Sequence, residues 1–399
     1  MITFKHHVTV AGMSAALVFA ANTANAETYG SDVTDYNKVV EMTSAAGDWL
    51  DGKLPVTTKV DYDGPVITYR YATYIPNVAG VEKVNRKALD QLERESHGKI
   101  KVEGFYAQSL HPQREGFTAV RDGIADYSAC FMIYEPTSFN MLHGLTLPFI
   151  FSDSSAGTRA YMELYPKYFR EEYENLGVFM GRGMITPPYN MIGNAKYLQQ
   201  TDWAGSKIRV AGRTQIDAIK RLGAVPVAIP SSDSYTSLQR GLVDTVSMND
   251  PAFLIFKLQE ISKYHNQVAL FTVNLEYCLS EDWYNGLPDD LKTVYYNWVQ
   301  KANMAIAQGY YEREDRRAKD IFRKAGVELV KPNQAEIQKW ETIVAPVTED
   351  WVAENEKAGR PAKAMLTELR AALDRFEPQS WNEQFEAIAK NPVPGYVSQ

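Results

Sequence analysis

An arginine inside an apolar, strand-like segment is the residue of this sequence best suited to chemistry. In IRVAGRTQ (208–215), Arg209 stands between Ile208 and Val210. A guanidinium is always charged, so burying it without an anionic partner costs much free energy. Two interpretations follow: an internal ion pair with Asp217 or Asp233, or a planar clamp for the carboxylate of a ligand. A clamp would gain about 1.5–3 kcal/mol from each charge-assisted hydrogen bond. The segment alone leaves both open.

Patterns typical of enzymes and cofactor sites do not favour catalysis. The GRG at 181–183 lacks the third glycine of a nucleotide loop, and Pro187 and Pro188 follow where a phosphate-binding helix would begin. No P-loop, G-x-S-x-G or H-E-x-x-H occurs. The histidines after residue 26 lie far apart, without the spacing of metal ligands: His97, His111, His143 and His265. We therefore expect no cofactor, no metal and no enzyme.

The first 26 residues are typical of a secretory signal. MITFKHH is basic, an apolar run follows, and small residues at Ala24 and Ala26 predict cleavage after Ala26 and a periplasmic product. Removing this segment would change the formal charge from −7 to −8, because it contains one lysine and no acid. An acidic chain is not suited to bind nucleic acid or anionic lipid. No later stretch reaches ~18 apolar residues, so no membrane insertion is expected.

Two cysteines, Cys130 and Cys278, remain after residue 26. An oxidising compartment permits a disulfide between them. However, Cys130 lies in the apolar run SACFMI, which is more typical of a packed thiol. A packed thiol is therefore the favoured interpretation, and the bridge is the alternative.

Alternating strand and helix patterns predict an α/β fold. Two successive series of this kind indicate two α/β units. The segment VALFTVNLEYCLS is predicted to form two adjacent strands that lead back to the first unit. The first series comprises VITYRYATY, a helix over Val81–Ser96 ended by His97-Gly98, KIKVEGF, a short helix, ADYSACFMIY as a strand, and a helix over Ser154–Leu176. The second comprises NMIGN, KIRV, TQIDAIKRLG, VPVAI, SDSYTSLQRG and DTVSM.

A long helix is predicted near the end of the chain. Residues 287–326 contain no proline after their start and one interior glycine, Gly309. About 36 helical residues would run ~54 Å, which is long enough to lie across two units. Residues 333–374 are also helical in character, and 27–62 form a polar extension with one helix near Tyr36–Leu50.

The order of these segments resembles the solute-binding proteins of tripartite ATP-independent periplasmic (TRAP) transporters, DctP type. The resemblance runs from about residue 66 to 330 and rests on VITYRYATYIPNVAGVEKVNRKALDQLERESHGKIKVEGFYAQSL, REGFTAVRDGIADYS, LTLPFIF, DWAGSKIRV, LGAVPVAIPSSDSYTSLQRGLVDTV and LPDDLK. It implies a receptor that holds a small organic anion between two lobes, joined by hinge strands and crossed by a long helix. The family pattern G-x-K-I-R-V falls on Gly205–Val210, so the resemblance implies that Arg209 holds the ligand carboxylate.

The same resemblance implies a division of the chain and a partner. Lobe I would comprise residues 66–186 with about 276–287, and lobe II residues 187–275. The spanning helix would cover 288–325, and 326–399 would pack on the lobes. A pair of membrane permease subunits would receive the solute.

Further cleft positions carry over from the family. On lobe I they are Tyr74, Pro76, Gln108, Ser109, Leu110, Arg114, Glu115, Tyr134 and Glu135; on lobe II they are Tyr189, Gly212, Arg213, Thr214, Asn249, Asp250 and Phe253. Many members of the family have a second arginine where this chain has Tyr189. Its replacement by tyrosine argues against a dicarboxylate or sialic-acid-like ligand. The 24 tyrosines suggest an aromatic cleft for an aromatic or hydroxylated acid, or for a zwitterion.

Two alternatives remain open. A receptor of an ATP-driven importer, or a sensor, would have a related fold. An exported hydrolase or lyase on the same scaffold would use Glu135 or Asp250 as a catalytic group.

Overall fold

The computed structural model of the chain describes residues 44–135 and 137–397, and the predicted signal segment lies outside them. Its strands are β1 Ile67–Ala72, β2 Ile100–Phe105, β3 Tyr127–Ala129, β4 Phe179–Ile185, β5 Tyr189–Gly193, β6 Lys207–Val210, β7 Val225–Ala228, β8 Thr245–Met248, β9 Tyr264–Phe271, β10 Asn274–Leu279 and β11 Glu328–Val330. They form two sheets, which confirms the predicted two-lobed α/β architecture.

The sheet of lobe I has the order β2-β1-β3-β10-β4. Strands β1, β2 and β3 are parallel, and β10 runs antiparallel between β3 and β4. Side chains alternate along β1, so Tyr69 and Tyr71 point to one face and are buried. Because β1, β2 and β3 are parallel, their carboxyl ends meet at one edge of the sheet. Ligands of open α/β sheets bind at such an edge.

The sheet of lobe II has the order β11-β9-β5-β8-β6-β7. Strand β6, which carries Arg209, pairs in parallel with β7 and β8 on its two sides. Strands β5 and β9 are antiparallel neighbours. The charged residue of interest thus lies on an inner strand.

The chain crosses between the sheets three times: by short connections from β4 to β5 and from β9 to β10, and by a long one from β10 to β11. The two short crossings bind each other: Thr186 N donates to Val273 O at 2.9 Å, and Val273 N donates to Thr186 Oγ1 at 3.1 Å. A pair of short crossing segments is the usual form of a hinge between lobes.

Helices cover the faces of both sheets. They are α1 Ala45–Leu50, α2 Gly80–Glu95, α3 Gly116–Arg121, α4 Ser154–Tyr168, α5 Arg170–Glu174, α6 Arg213–Arg221, α7 Ser234–Gln239, α8 Asp250–Ile255, α9 Glu281–Asn285, α10 Asp289–Ile306, α11 Arg313–Lys324, α12 Gln334–Lys357, α13 Ala362–Phe376 and α14 Trp381–Lys390. As predicted, α2 ends where His97 and Gly98 adopt left-handed φ angles of 51° and 77°. Among residues 44–135 and 137–397, no helix is both long and apolar enough to cross a membrane.

The predicted long helix is present and touches both lobes. Helices α10 and α11 are continuous through a π-helical segment, Ala307–Glu312. On lobe I, Trp298 Nε1 donates to Ala88 O at 2.6 Å. On lobe II, the ring of Phe322 packs against His265 with centroids 4.9 Å apart. The helix therefore braces the two lobes.

Two predicted elements differ from the structure. Only Tyr127–Ala129 of ADYSACFMIY is a strand, because the chain then turns into a 3-10 segment at Met132–Tyr134. The helix expected over Ser154–Leu176 is divided into α4 and α5 where the buried Phe169 leaves helical geometry, with φ −125° and ψ −25°. The part of the predicted helix before residue 44 lies outside the described residues.

Cys130 and Cys278 form a disulfide, so the favoured interpretation of Cys130 as a packed thiol was wrong. The bridge joins the end of β3 to β10, and Cys130 N also donates to Glu276 O at 3.1 Å. Apolar surroundings are compatible with both a free thiol and a disulfide. The bridge forms because β3 pairs with β10, which brings the two cysteines together. Local sequence does not contain that pairing.

Replacing both cysteines by alanine is expected to lower the free energy of unfolding by about 2–5 kcal/mol, because the bridge restricts the unfolded chain across a separation of 148 residues. Urea unfolding of the purified double variant and the wild type measures this. Equal unfolding midpoints would contradict a stabilising bridge.

Candidate functional site

The guanidinium of Arg209 is held at the carboxyl end of β6 by backbone carbonyls from both sides. Nε donates to Ile229 O at 3.0 Å, just beyond β7, and Nη1 donates to Ser247 O in β8 at 3.3 Å. The residue is only 1 % exposed. Nη2 makes no hydrogen bond to the described part of the chain. The group is therefore fixed by dipoles, and its full charge remains without a counter-ion.

The internal ion pair considered for Arg209 is not formed. No carboxylate of residues 44–135 or 137–397 lies within ion-pair distance of its guanidinium. Asp217 and Asp233 are both exposed on the surface. A buried charge left in this state favours a partner that comes from solution.

Tyrosine rings surround the space next to Arg209. Tyr189, at the start of β5, is 5 % exposed. Burial raises the pKa of its hydroxyl, and the charge of nearby Arg209 opposes that rise. Across from it, Tyr74 and Tyr134 both pack edge-on against Phe131, with centroids 5.6 and 6.1 Å apart. Tyr74, Tyr134 and Tyr189, all predicted for the site, are therefore brought together.

Two further tyrosines that the sequence did not single out complete this wall. Burial raises the pKa of Tyr74 far above its usual value, and the neighbouring hydroxyls of Tyr311, Tyr277, Tyr134 and Tyr189 add to the effect. Tyr311 belongs to the π-helical segment of the spanning helix. We call the five residues Tyr74, Tyr134, Tyr189, Tyr277 and Tyr311 the tyrosine wall.

The π-helical segment presents Tyr311 to the wall. Such segments add a residue to one turn and recur at functional sites. Gly309 lies on its outer side, where an added Cβ would come within 2.8 Å of Leu50 Cδ1 in α1. The N-terminal helix is therefore packed directly behind the segment.

Candidates on the rim of lobe I are exposed or half-buried. Gln108 is exposed, and its Oε1 accepts from Gln113 N at 2.9 Å. Arg114 places its guanidinium 4.8 Å from the ring centre of Tyr134. For the other lobe I candidates the structure gives exposure alone: Pro76, Ser109 and Glu115 are exposed, and Leu110 and Glu135 are half-buried.

The structure does not bring Arg213 to the tyrosine wall. It is the first residue of α6, and its side chain forms an exposed ion pair with Glu354 at 2.6 Å. Gly212 and Thr214 instead lie against lobe I: an added Cβ on Gly212 would be 3.3 Å from Ile133 Cβ, and Thr214 Oγ1 is 2.6 Å from Thr146 Oγ1. Helix α6 therefore directs Arg213 outward and Thr214 inward.

Three candidates after β8 serve the interior of lobe II. Asn249 caps α8 by accepting from Ala252 N at 2.9 Å. Phe253 packs edge-on against His265, with centroids 6.0 Å apart. Asp250 Oδ1 accepts from Asn190 Nδ2 at 2.8 Å and lies 2.7 Å from His265 Nε2. None of these contacts reaches the tyrosine wall directly, although Asn190 follows Tyr189.

Asp250 belongs to a buried charged cluster that ties lobe II to the spanning helix. Lys319 Nζ in α11 lies 3.9 Å from Asp250 Oδ2 and 3.8 Å from Asp315 Oδ2. Burial would raise the pKa of Asp250, but His265 and Lys319 hold it below its usual value. Burial raises the pKa of Asp315 to about 6, against the opposing charge of Lys319. The cluster is structural, since it lies away from the cleft.

Two buried charged residues near the site were missed. Glu276 in β10 is fully buried, and burial raises its pKa well above the usual value; its Oε2 accepts from Met132 N at 3.4 Å. Arg182 in β4 lies with its guanidinium 4.0 Å from the ring centre of Tyr277. Both are charged residues in apolar strands, so the signal that pointed to Arg209 also marks them.

The chain belongs to the family described as Bacterial extracellular solute-binding protein, family 7, which it matches over residues 79–355. It is a solute-binding protein of the DctP type, as the resemblance implied. It is 23 % identical over 268 residues to the C4-dicarboxylate-binding periplasmic protein DctP of Rhodobacter capsulatus, covering 65 % of this chain and 78 % of that protein.

Solved structures of TRAP solute-binding proteins share the fold. One from Rhodoferax ferrireducens, with copurified benzoate, is 19 % identical with a TM-score of 0.73, over 78 % of this chain and 99 % of that one. One from a marine metagenome, specific for aromatic acid ligands and bound to 3-hydroxybenzoate, is 20 % identical with a TM-score of 0.73, over 79 % and 100 % of the two chains. At these identities the likeness establishes the two-lobed fold.

An Asp315→Asn variant is expected to alter how stability depends on pH. Because the pKa of Asp315 is raised from 3.8 in the unfolded chain to about 6, its contribution to stability is full below pH ~4 and is lost as the pH rises to ~6. The asparagine variant should therefore gain stability relative to the wild type over that interval, with a constant difference above it. Denaturant unfolding at pH 4, 5, 6 and 7 tests this, and a pH-independent difference would contradict the raised pKa.

Proposed function

We propose that this protein captures a small organic acid between its lobes, with Arg209 binding the carboxylate, and delivers it to the membrane permease subunits of a TRAP transporter. The observation that carries the proposal is a guanidinium with 1 % exposure and no anionic partner within the described residues. Its two backbone contacts leave Nη2 for the ligand. The family membership supports the transport role.

The ligand we propose is an aromatic or hydroxylated acid with a single carboxylate. Rings of the tyrosine wall offer flat apolar faces with hydroxyl groups at their edges, which suits an aromatic body carrying polar substituents. Tyr189 occupies the place of the second family arginine, so a second carboxylate would find no guanidinium there. Arg182 is buried beside the wall, but its Nη1 donates to Asn85 Oδ1 at 2.8 Å and its guanidinium is stacked on the ring of Tyr277. Arg114 is exposed and stacked on Tyr134, where solvent weakens its attraction for an anion.

Ligand capture would proceed by closure of the lobes about the paired crossings. A ligand that binds the closed form better shifts the population toward it, and water excluded by closure no longer screens Arg209. Binding and release without bond breaking account for the arrangement, so we propose no enzymatic activity. Glu135 and Asp250, the groups considered for a hydrolase or lyase, do not share one site: Asp250 is bound inside lobe II.

We also propose that the chain is exported to the periplasm and cleaved after Ala26. The basic and apolar composition of residues 1–26 supports this. A TRAP system, rather than an ATP-driven importer, is favoured by the family match.

Arg209→Gln is expected to weaken binding of benzoate at least about 100-fold, since two charge-assisted hydrogen bonds would be lost. Isothermal titration calorimetry of the purified protein measures the affinity, and circular dichroism checks folding. Arg221→Gln is the matched control, because Arg221 forms an exposed ion pair with Asp350 in the same lobe. Unchanged affinity in a folded Arg209 variant would refute the clamp.

A thermal-shift comparison separates the ligand classes. Benzoate at about 100 times its Kd would stabilise the folded protein by ~2.7 kcal/mol and raise Tm. Succinate at the same concentration should raise Tm far less, because its second carboxylate would meet tyrosine rings and Arg182, which is already bound to Asn85. A larger shift with succinate would overturn the preference for a single carboxylate.

A further inference from the structure

A glutamine bridges the two lobes beside the site, and neither its place nor its bonding followed from the sequence. Gln113 begins a 3-10 segment after β2 in lobe I, and Ser231 begins another after β7 in lobe II. Gln113 Nε2 donates to Ser231 Oγ at 3.0 Å, and the two residues are 4 % and 8 % exposed. The contact joins the two lobes, so movement of one lobe away from the other would break it.

Both ends of this bridge are connected to groups of the site. Ile229, two residues before Ser231, supplies the carbonyl that accepts from Arg209 Nε. On the other side, the backbone N of Gln113 is held by Gln108, and its neighbour Arg114 lies over Tyr134. The amide of Gln113 therefore lies between the lobe that carries Arg209 and the rim of the tyrosine wall.

Only the nitrogen of the Gln113 side-chain amide is hydrogen-bonded. Its Oε1 is buried and has no hydrogen-bond partner within the described residues. An acceptor buried without a partner costs free energy, which favours a donor supplied from outside the chain. With Nε2 occupied by Ser231, the orientation of Oε1 is fixed in the closed form.

We propose that Gln113 Oε1 accepts a hydrogen bond from the ligand. The preferred ligand is then an acid with a hydroxyl or N–H group remote from its carboxylate. The inference rests on the proposed function, since Arg209 must hold the carboxylate at the other end. Ser231 acts as a positioning residue, because it orients the amide as the lobes close. Specificity then depends on closure.

The test is a comparison of benzoate with 2-, 3- and 4-hydroxybenzoate by isothermal titration calorimetry. In the wild type, 3- or 4-hydroxybenzoate should bind about tenfold more tightly than benzoate, whereas 2-hydroxybenzoate, whose hydroxyl lies next to the carboxylate, should not. In Gln113→Leu this ratio should fall to near one, because loss of the bridge to Ser231 affects benzoate and the hydroxybenzoates alike and only the hydroxybenzoates lose a hydrogen bond. Gln113→Asn, whose amide is too short to reach Ser231, should also lose the ratio and serves if the leucine variant does not fold.

Neighbouring serines supply the control. Ser231→Ala should reduce the ratio because the amide loses its anchor, and Ser231→Thr should retain it. Ser232→Ala should leave it unchanged, because the Ser232 hydroxyl faces Asp233 rather than lobe I.

The outcomes separate this inference from the proposed function. A wild type that binds none of the four acids refutes the aromatic-acid proposal itself, and the inference with it. If the wild type binds benzoate but neither 3- nor 4-hydroxybenzoate more tightly, or if Gln113→Leu keeps the ratio, only the role of Gln113 is overturned.

Discussion

A buried positive charge without an internal counter-ion is the constraint on which the rest of the site depends. Two backbone carbonyls fix the Arg209 guanidinium but do not neutralise it. Such a charge is tolerated only if the surrounding fold is rigid and if an anion relieves the cost for part of the time. The inner position of β6, paired on both sides, provides that rigidity. The buried charge of Arg209 thus lowers the stability of the ligand-free protein, and binding of the anion restores it.

The remaining elements connect this charge to motion. Paired crossings at Thr186 and Val273 allow the lobes to turn, while the spanning helix is anchored to lobe I by Trp298 and to lobe II by the charged cluster around Lys319. Its π-helical segment falls between the two anchors and carries Tyr311. A ligand that touches Tyr311 and Arg209 therefore contacts the brace and lobe II at once. Coupling of this kind needs no long pathway, because the ligand itself joins the parts.

Much of the fold followed from the sequence, since periodicity marks strands and helices and a proline-free run marks the spanning helix. The position of Arg209 also followed, because charge inside an apolar strand is a strong local signal. Side-chain direction did not follow. The family resemblance placed Arg213 and Asp250 in the cleft, but α6 turns Arg213 outward to Glu354, and Asp250 is bound by His265 inside lobe II. Contacts that only the folded chain creates, such as the disulfide and the Gln113–Ser231 bridge, leave no local trace.

The first and last helices of the described chain lie next to each other. Ala45 N at the start of α1 donates to Asn382 Oδ1 in α14 at 2.9 Å, and both helices pack on α10 behind lobe I. Terminal helices that lie together allow the chain to be joined through a linker beside them. The polypeptide could then be reopened in an exposed loop such as that around Gly241, giving a circularly permuted receptor whose new ends move with lobe II. A fluorescent domain attached there would report lobe closure directly.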